Sequence, residues 1–145
     1  MKTIKYIDLF AGIGGFRIAM KKATKKLSYN SLCIFSSEID KYCRETYFEN
    51  FNEKNIYGDI SKLKNNEIKT TIGKYDLLLA GFPCQPFSLA GVSKRNSLKR
   101  PHGFDDEIQG TLFFDIMRII KKTLPNMILL ENVKNLKSHD GGNTL

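Results

Sequence analysis

Two short stretches carry residues able to do chemistry. Gly81-Phe82-Pro83-Cys84-Gln85-Pro86-Phe87-Ser88 sets one cysteine between two prolines. The prolines fix φ on either side of it and keep the segment from continuing as strand or helix. A sulfur held on such a loop suits a nucleophile better than a core filler. Gly12-Ile13-Gly14-Gly15 is the second stretch. Its glycines allow positive φ and a close backbone approach to a ligand. The free N–H groups and dipole of a helix opening behind it favour an anion or a carboxylate. The dinucleotide pattern GxGxxG is not met, because Arg17 stands where its last glycine belongs. Glu38 and Asp59 each end a predicted strand. Glu38 can accept from ribose hydroxyls and Asp59 from an exocyclic adenine amine. A tight turn with two exposed acids would look the same.

The other cysteines read differently. Cys33 lies within an apolar strand and reads as a buried structural thiol, and Cys43 on its helix reads the same way. Three cysteines without a CxxC, and the distant His102 and His139, make neither a disulfide framework nor a zinc site. No metal is expected, and a reducing cytoplasm is the expected location.

Short apolar runs and helix-period segments must position these groups. Strands are predicted over Lys5 to Phe10, Ser31 to Ser37, Asn55 to Tyr57, Asp76 to Ala80 and Met127 to Leu130. A first helix follows Gly15, with Phe16, Met20, Ala23 and Leu27 on one face and Arg17, Lys21 and Lys25 on another. Asp40 caps a second helix running to about Asn50, with Cys43, Tyr47, Asn50 and Phe51 inward. Ser61 to Tyr75 is polar and lysine-rich and reads as a surface helix or loop. Thr111 caps a strongly amphipathic helix that ends before Pro125. Between them, residues 81–110 form a long segment, which in a compact domain is functional or disordered.

This alternation predicts an α/β fold, a doubly wound, mostly parallel sheet with helices on both faces. The first and fourth predicted strands lie side by side where the order reverses. Ligands bind there, beyond the carboxyl ends of the strands. The glycine turn and the Pro-Cys loop are thereby expected to share one site.

With 145 residues and 16.6 kDa the chain fits one domain, and its 41% hydrophobic and 26% charged residues exclude a disordered chain. No apolar run reaches membrane-span length, and Met1 to Lys5 lacks the features of a secretory signal. A net charge of +8 favours a polyanionic partner, though a lysine-rich solvated surface gives the same number.

Five blocks, in order, resemble the DNA cytosine-5 methyltransferases: Asp8 to Phe16, Gly58-Asp59-Ile60, Gly81 to Ser88, Gly110 to Phe114, and Glu131-Asn132-Val133. The match spans almost the whole chain. The resemblance implies a Rossmann-like methyltransferase fold and S-adenosyl-L-methionine as methyl donor. It implies a donor pocket lined by Phe10, Gly12, Ile13, Gly14, Gly15, Glu38, Ile39, Asp59, Ile60, Pro83 and Leu112. Cys84 would add as thiolate to carbon 6 of cytosine, making carbon 5 electron-rich. Glu131 would stabilise or protonate ring nitrogen N3, with a pKa raised by partial burial. The base must be flipped out of double-stranded DNA. Gln85, Ser88, Lys94, Arg95, Lys99 and Arg100 are the candidate DNA contacts, Lys94 to Arg100 through phosphates. A solvated loop reads equally well there, since Asp105, Asp106 and Glu107 offset its charge. The resemblance also suggests a restriction-modification role.

The pattern departs from the family in places. Ile39 stands where an adenine-stacking aromatic is common, and Gln109 where an arginine is common. The arginine-rich block, the target-recognition domain and the late segment that completes the donor pocket have no counterpart. Residues 1–145 are therefore expected to be the N-terminal portion of a catalytic domain: a truncated chain, a broken gene product, or one subunit that needs a complementary C-terminal half. The expectation is an uncovered apolar edge and no methylation by this chain alone. A tRNA cytosine-5 methyltransferase and a non-catalytic cofactor- or nucleic-acid-binding fragment are the competing readings.

Overall fold

The computed structural model describes residues 1–83 and 109–134. Four strands form one parallel sheet: β1 (Thr3–Leu9), β2 (Asn30–Ser37), β3 (Leu77–Gly81) and β4 (Met127–Glu131), in the order β2-β1-β3-β4. The helices are α1 (Gly15–Lys26), α2 (Lys41–Phe51), α3 (Ile68–Ile72) and α4 (Gln109–Thr123), with a 3₁₀ turn over Ile60–Lys62. β1 therefore lies beside the fourth predicted strand, β3, as expected at a topological switch.

Asp76 sets the register at the amino ends of three strands. Its backbone N–H donates to the Lys5 carbonyl at 2.8 Å, and its Oδ2 accepts from the Lys5 N–H at 2.9 Å. Its own carbonyl accepts from Met127 N–H at 2.9 Å. From there Leu9 falls opposite Ala80, and Gly81 opposite Glu131.

The pleat divides the sheet into two faces. Ile7, Leu9, Leu78 and Ala80 pack against Ile60, Leu63, Ile68, Ile72, Ile116 and Ile119 in one apolar core. Tyr6, Asp8 and Leu79, which alternate with these along β1 and β3, are also buried, as is Tyr47 of α2. A strand buried on both faces reads as a continuous apolar run, which is the pattern of β3.

Four expectations need correction. Asn55 to Tyr57 is not a strand: only Tyr57 bridges to Ser37, because Gly58 and Asp59 turn the chain away at once. Ser61 to Tyr75 is not a surface segment. Leu63, Ile68, Ile72 and Tyr75 are buried, single apolar residues spaced through a polar stretch and all turned to the sheet. The inward face of α1 includes Thr24, buried, with its hydroxyl donating to the Met20 carbonyl at 2.8 Å, while Ala23 and Leu27 are exposed. The last long helix begins at Gln109, so Thr111 lies within it instead of capping it. Asp40, by contrast, does cap α2, its Oδ1 accepting from Cys43 N–H at 2.8 Å.

Arg118 locks α4 onto the 3₁₀ turn. Its guanidinium donates to the carbonyls of Leu63 and, at 2.7 Å, Ile60, and pairs with Asp115 at 2.6 Å. Replacing Arg118 by Met leaves those carbonyls unpaired in a part-buried place. A loss of roughly 1–3 kcal/mol of stability is expected, measured as a lower urea midpoint at unchanged m-value.

Candidate active site

The chain bends sharply as it leaves β1. Phe10, Gly12 and Gly14 take φ of 58°, 54° and 95°. Left-handed backbone costs Phe10 about 1–2 kcal/mol, which is why the positions either side of Ile13 are glycines. Backbone hydrogen bonds hold the bend: Ala11 N–H to the Ser37 carbonyl, and Gly14 N–H to the Ala11 carbonyl, both at 2.9 Å. Glu38 adds a side-chain strut. Its Oε2 accepts from Gly12 N–H and its Oε1 from Asp40 N–H, both at 2.8 Å. The reading of Glu38 as a ligand acceptor missed this second task, which no sequence signal carries. A carboxylate has about four acceptor sites, so capacity remains for a ligand.

A cavity of about 250 Å³ opens where the carboxyl ends of β1, β2 and β3 meet. Phe10, Glu38, Ile39, Asp59, Ile60, Pro83 and Leu112 of the expected donor pocket line it, together with Ser37, Gly58 and Gly81. Gly12, Ile13, Gly14 and Gly15 belong to the bend beside it. Asp59 is held anionic: the Ser61 hydroxyl at 2.7 Å and the Ser61 N–H at 3.0 Å bond to its Oδ1 and push its pKa below the ordinary carboxylate value. One apolar wall with two carboxylates on its rim is chemically suited to a flat heteroaromatic base carrying a hydroxylated sugar. The Ser37 hydroxyl is buried here with no hydrogen-bond partner among the described residues, a further polar group in the wall. A larger cleft of about 800 Å³ lies between α1, α2 and the amino end of β2, away from the switch point, and holds neither Glu38 nor Asp59.

The Pro-Cys loop leaves from the other side of this cavity. Phe82 is buried, and its carbonyl accepts from the Asn132 amide at 3.1 Å. Asn132 thus ties the exit of β3 to the exit of β4, a role hidden in the sequence inside the Glu131-Asn132-Val133 block. Cys84 falls outside the described residues, as do Gln85, Ser88, Lys94, Arg95, Lys99 and Arg100. Glu131 does not line the cavity; it stands opposite Gly81, which does, its Oε2 lying 3.4 Å from where a Gly81 Cβ would be. It is exposed, so the partial burial expected for it is not provided by the described residues. Cys33 is poorly suited to be a thiolate: burial pushes its pKa up to about 11. Among the described residues no cluster of three metal-ligating side chains stands together, and no helix is long and apolar enough to cross a membrane.

Asp8 is the anomaly. It is fully buried on β1 and neither carboxylate oxygen has a partner among the described residues. Burial raises its pKa to about 7 and Glu38 adds to the rise, while Arg17 opposes it. A carboxyl raised above its ordinary value costs stability as pH climbs from about 4 to about 7, the range in which the unfolded chain ionises and the folded one resists. Asp8→Asn removes that dependence. Its thermal midpoint relative to wild type is expected to be higher at about pH 8 than at about pH 5.

Residues 4–145 match the family described as C-5 cytosine-specific DNA methylase. An Escherichia coli K12 protein named DNA-cytosine methyltransferase is 48% identical over 98% of this chain and 32% of its own length. The type II methyltransferase M.HhaI of Haemophilus parahaemolyticus is 46% identical over 98% of this chain and 37% of its own. The chain thus spans about a third of these relatives. Among solved structures, a Spodoptera frugiperda DNMT2 mutant aligns with a TM-score of 0.65 at 27% identity, over 94% of this chain and 38% of that one. The Schizosaccharomyces pombe Dnmt2 methyltransferase shares the fold with a TM-score of 0.64 at 20% identity, over 99% and 38%.

Proposed function

The chain belongs to the C-5 cytosine-specific DNA methylase family, and we propose that it supplies the donor-binding and nucleophile-bearing part of an enzyme that moves a methyl group from S-adenosyl-L-methionine to carbon 5 of cytosine in double-stranded DNA. The observation that carries this reading is the cavity at the β1–β3 switch, rimmed by Glu38 and Asp59, from which Phe82 and Pro83 lead directly to Cys84.

The roles then follow from chemistry. Glu38 accepts from the ribose hydroxyls of the donor, Asp59 from its adenine amine, and Ile39, Ile60 and Leu112 make apolar contact with the base. The N–H groups that open α1, which have no side-chain cap, face the donor's carboxylate. The donor, when bound, brings an electrophilic methyl on a sulfonium. A flipped cytosine enters from the other side. The Cys84 thiolate forms a bond to carbon 6, and the electron pair displaced from the 5,6 double bond is held towards N3 and carbon 5. Glu131, opposite Gly81 at the end of β4, stabilises or protonates N3. Carbon 5 would take the methyl as the bond to the donor's sulfur breaks, that electron pair staying on the sulfur as a neutral thioether; loss of the carbon 5 proton to a base then restores the double bond and expels the thiolate. Lys94, Arg95, Lys99 and Arg100 contact phosphates, with Gln85 and Ser88 near the flipped base.

Residues 1–145 act in this reading as the N-terminal portion of the catalytic domain, with target recognition in the remaining two thirds of the relatives' length. β4 supports that division. Among the described residues its outer edge has no neighbour, and Met127, Ile128, Leu129 and Leu130 are 37–51% exposed. Such an edge suits a further strand. A complementary C-terminal half, in the same or a second chain, would supply it.

Mixed with that half, duplex DNA carrying 5-fluorocytosine is expected to form a denaturation-resistant adduct with this chain, and Cys84→Ser to form none. Donor binding without any adduct would instead favour a non-catalytic binding module. An adduct with tRNA but not with DNA would redirect the substrate class.

A further inference from the structure

We infer that the last turn of α2 is the seat on which the donor-binding bend is shaped, with Phe51 and Asn50 as positioning residues that act through Gly14 and Ile13. This rests on the reading of that bend as the donor site. None of the α2 residues lines the cavity itself.

The contact is close enough to dictate backbone shape. A Cβ on Gly14 would lie 2.1 Å from Cε2 and 2.7 Å from Cζ of Phe51, and 3.2 Å from Cε2 of Tyr47. The ring therefore presses on the glycine backbone at the residue whose φ is 95°. One residue earlier, the Asn50 amide donates to the Ile13 carbonyl at 3.1 Å. The bend is thus fixed from behind by a flat ring and a single donor, while Glu38 fixes it from the front through Gly12.

The ring is itself immobilised. Tyr47, fully buried, meets Phe51 edge-on with centroids 4.7 Å apart. The Arg17 guanidinium sits 4.7 Å from the Phe51 centroid and 5.4 Å from that of Tyr47, and donates to the Tyr47 hydroxyl at 3.1 Å. The same nitrogen, Nη1, lies 3.9 Å from a Glu53 carboxylate oxygen. Arg17 stands where a dinucleotide turn would carry its last glycine. Here it clamps the aromatic seat, so the departure from that pattern is part of the device.

Titration of S-adenosyl-L-methionine into the purified chain tests this, beside amide exchange at Gly12 and Gly14, whose N–H groups are hydrogen-bonded within the bend. Phe51→Leu keeps the apolar volume but loses the flat ring; Asn50→Ala loses only the donor. Each is expected to weaken binding about three- to tenfold, the range for one lost hydrogen bond or contact. Exchange at these two bend amides should quicken while Leu78 to Ala80 stay protected. Lys41→Ala, at the far end of α2, should leave both unchanged. Binding within twofold of wild type with unaltered bend amides would overturn the inference. So would a loss of protection spread evenly over the sheet, which marks a merely structural role. If Phe51→Leu does not fold, Asn50→Ala decides. If the wild-type chain binds no donor even when mixed with the complementary half, the donor-site reading fails by itself. The seat is then judged on the bend amides alone: faster exchange in the variants upholds it, and unchanged exchange sinks it.

Discussion

Parallel pairing of β1 with β3, out of sequence order, is the constraint on which the site depends. Asp76 fixes it at the amino ends, using its backbone N–H, its carbonyl and its carboxylate to join Lys5 and Met127. Because parallel strands advance together, a register set at Lys5 and Asp76 determines what meets at the other end. The glycine bend after β1 and the Phe82-Pro83 exit after β3 therefore open on one cavity, although about seventy residues separate them in sequence. A one-residue slip would turn Leu9 and Ala80 out of the core and misalign both exits.

Much of the local architecture exists to hold backbone in unfavourable places. Phe10 has a positive φ of 58° between the glycine bend and β1, and in a residue with a side chain such a conformation persists only where the surroundings over-determine it. Here the surroundings are specific: Glu38 in front, Ser37 below, Phe51 and Asn50 behind. Asp8 shows the same imbalance in charge. A fully buried carboxyl without a partner among the described residues works against folding near neutral pH. The apolar core across the sheet, from Ile7 and Leu78 to Ile116 and Ile119, offsets both costs.

The carboxyl-terminal strand shows where the described fold is thinnest. β4 repeats the apolar pattern of β3 and pairs with it residue for residue, yet its side chains are exposed on both faces. The amino-acid pattern of Met127 to Leu130 is that of a strand covered on both sides. Glu131 shares that exposure.

The sequence alone determined the elements whose signal is local. Proline and glycine mark the two loops, period-two and continuous apolar runs mark β1 to β4, and the Asp40 cap is legible because a side chain three residues from its partner N–H needs no tertiary help. The resemblance, resting on ordered short blocks, placed Glu38, Ile39, Asp59, Ile60 and Leu112 around one pocket, and all of them line one cavity. Tertiary structure decided what depends on distant neighbours. Ile68 and Ile72 look like stray apolar residues in a lysine-rich stretch until α4 packs over them. Tyr57 reads as part of a strand but finds only one bridging partner. Phe51 and Asn50 carry no sequence mark of contact with Gly14 and Ile13. Their role arises because the return of the chain through β2 and α2 brings a ring against a residue that has no side chain to keep it away.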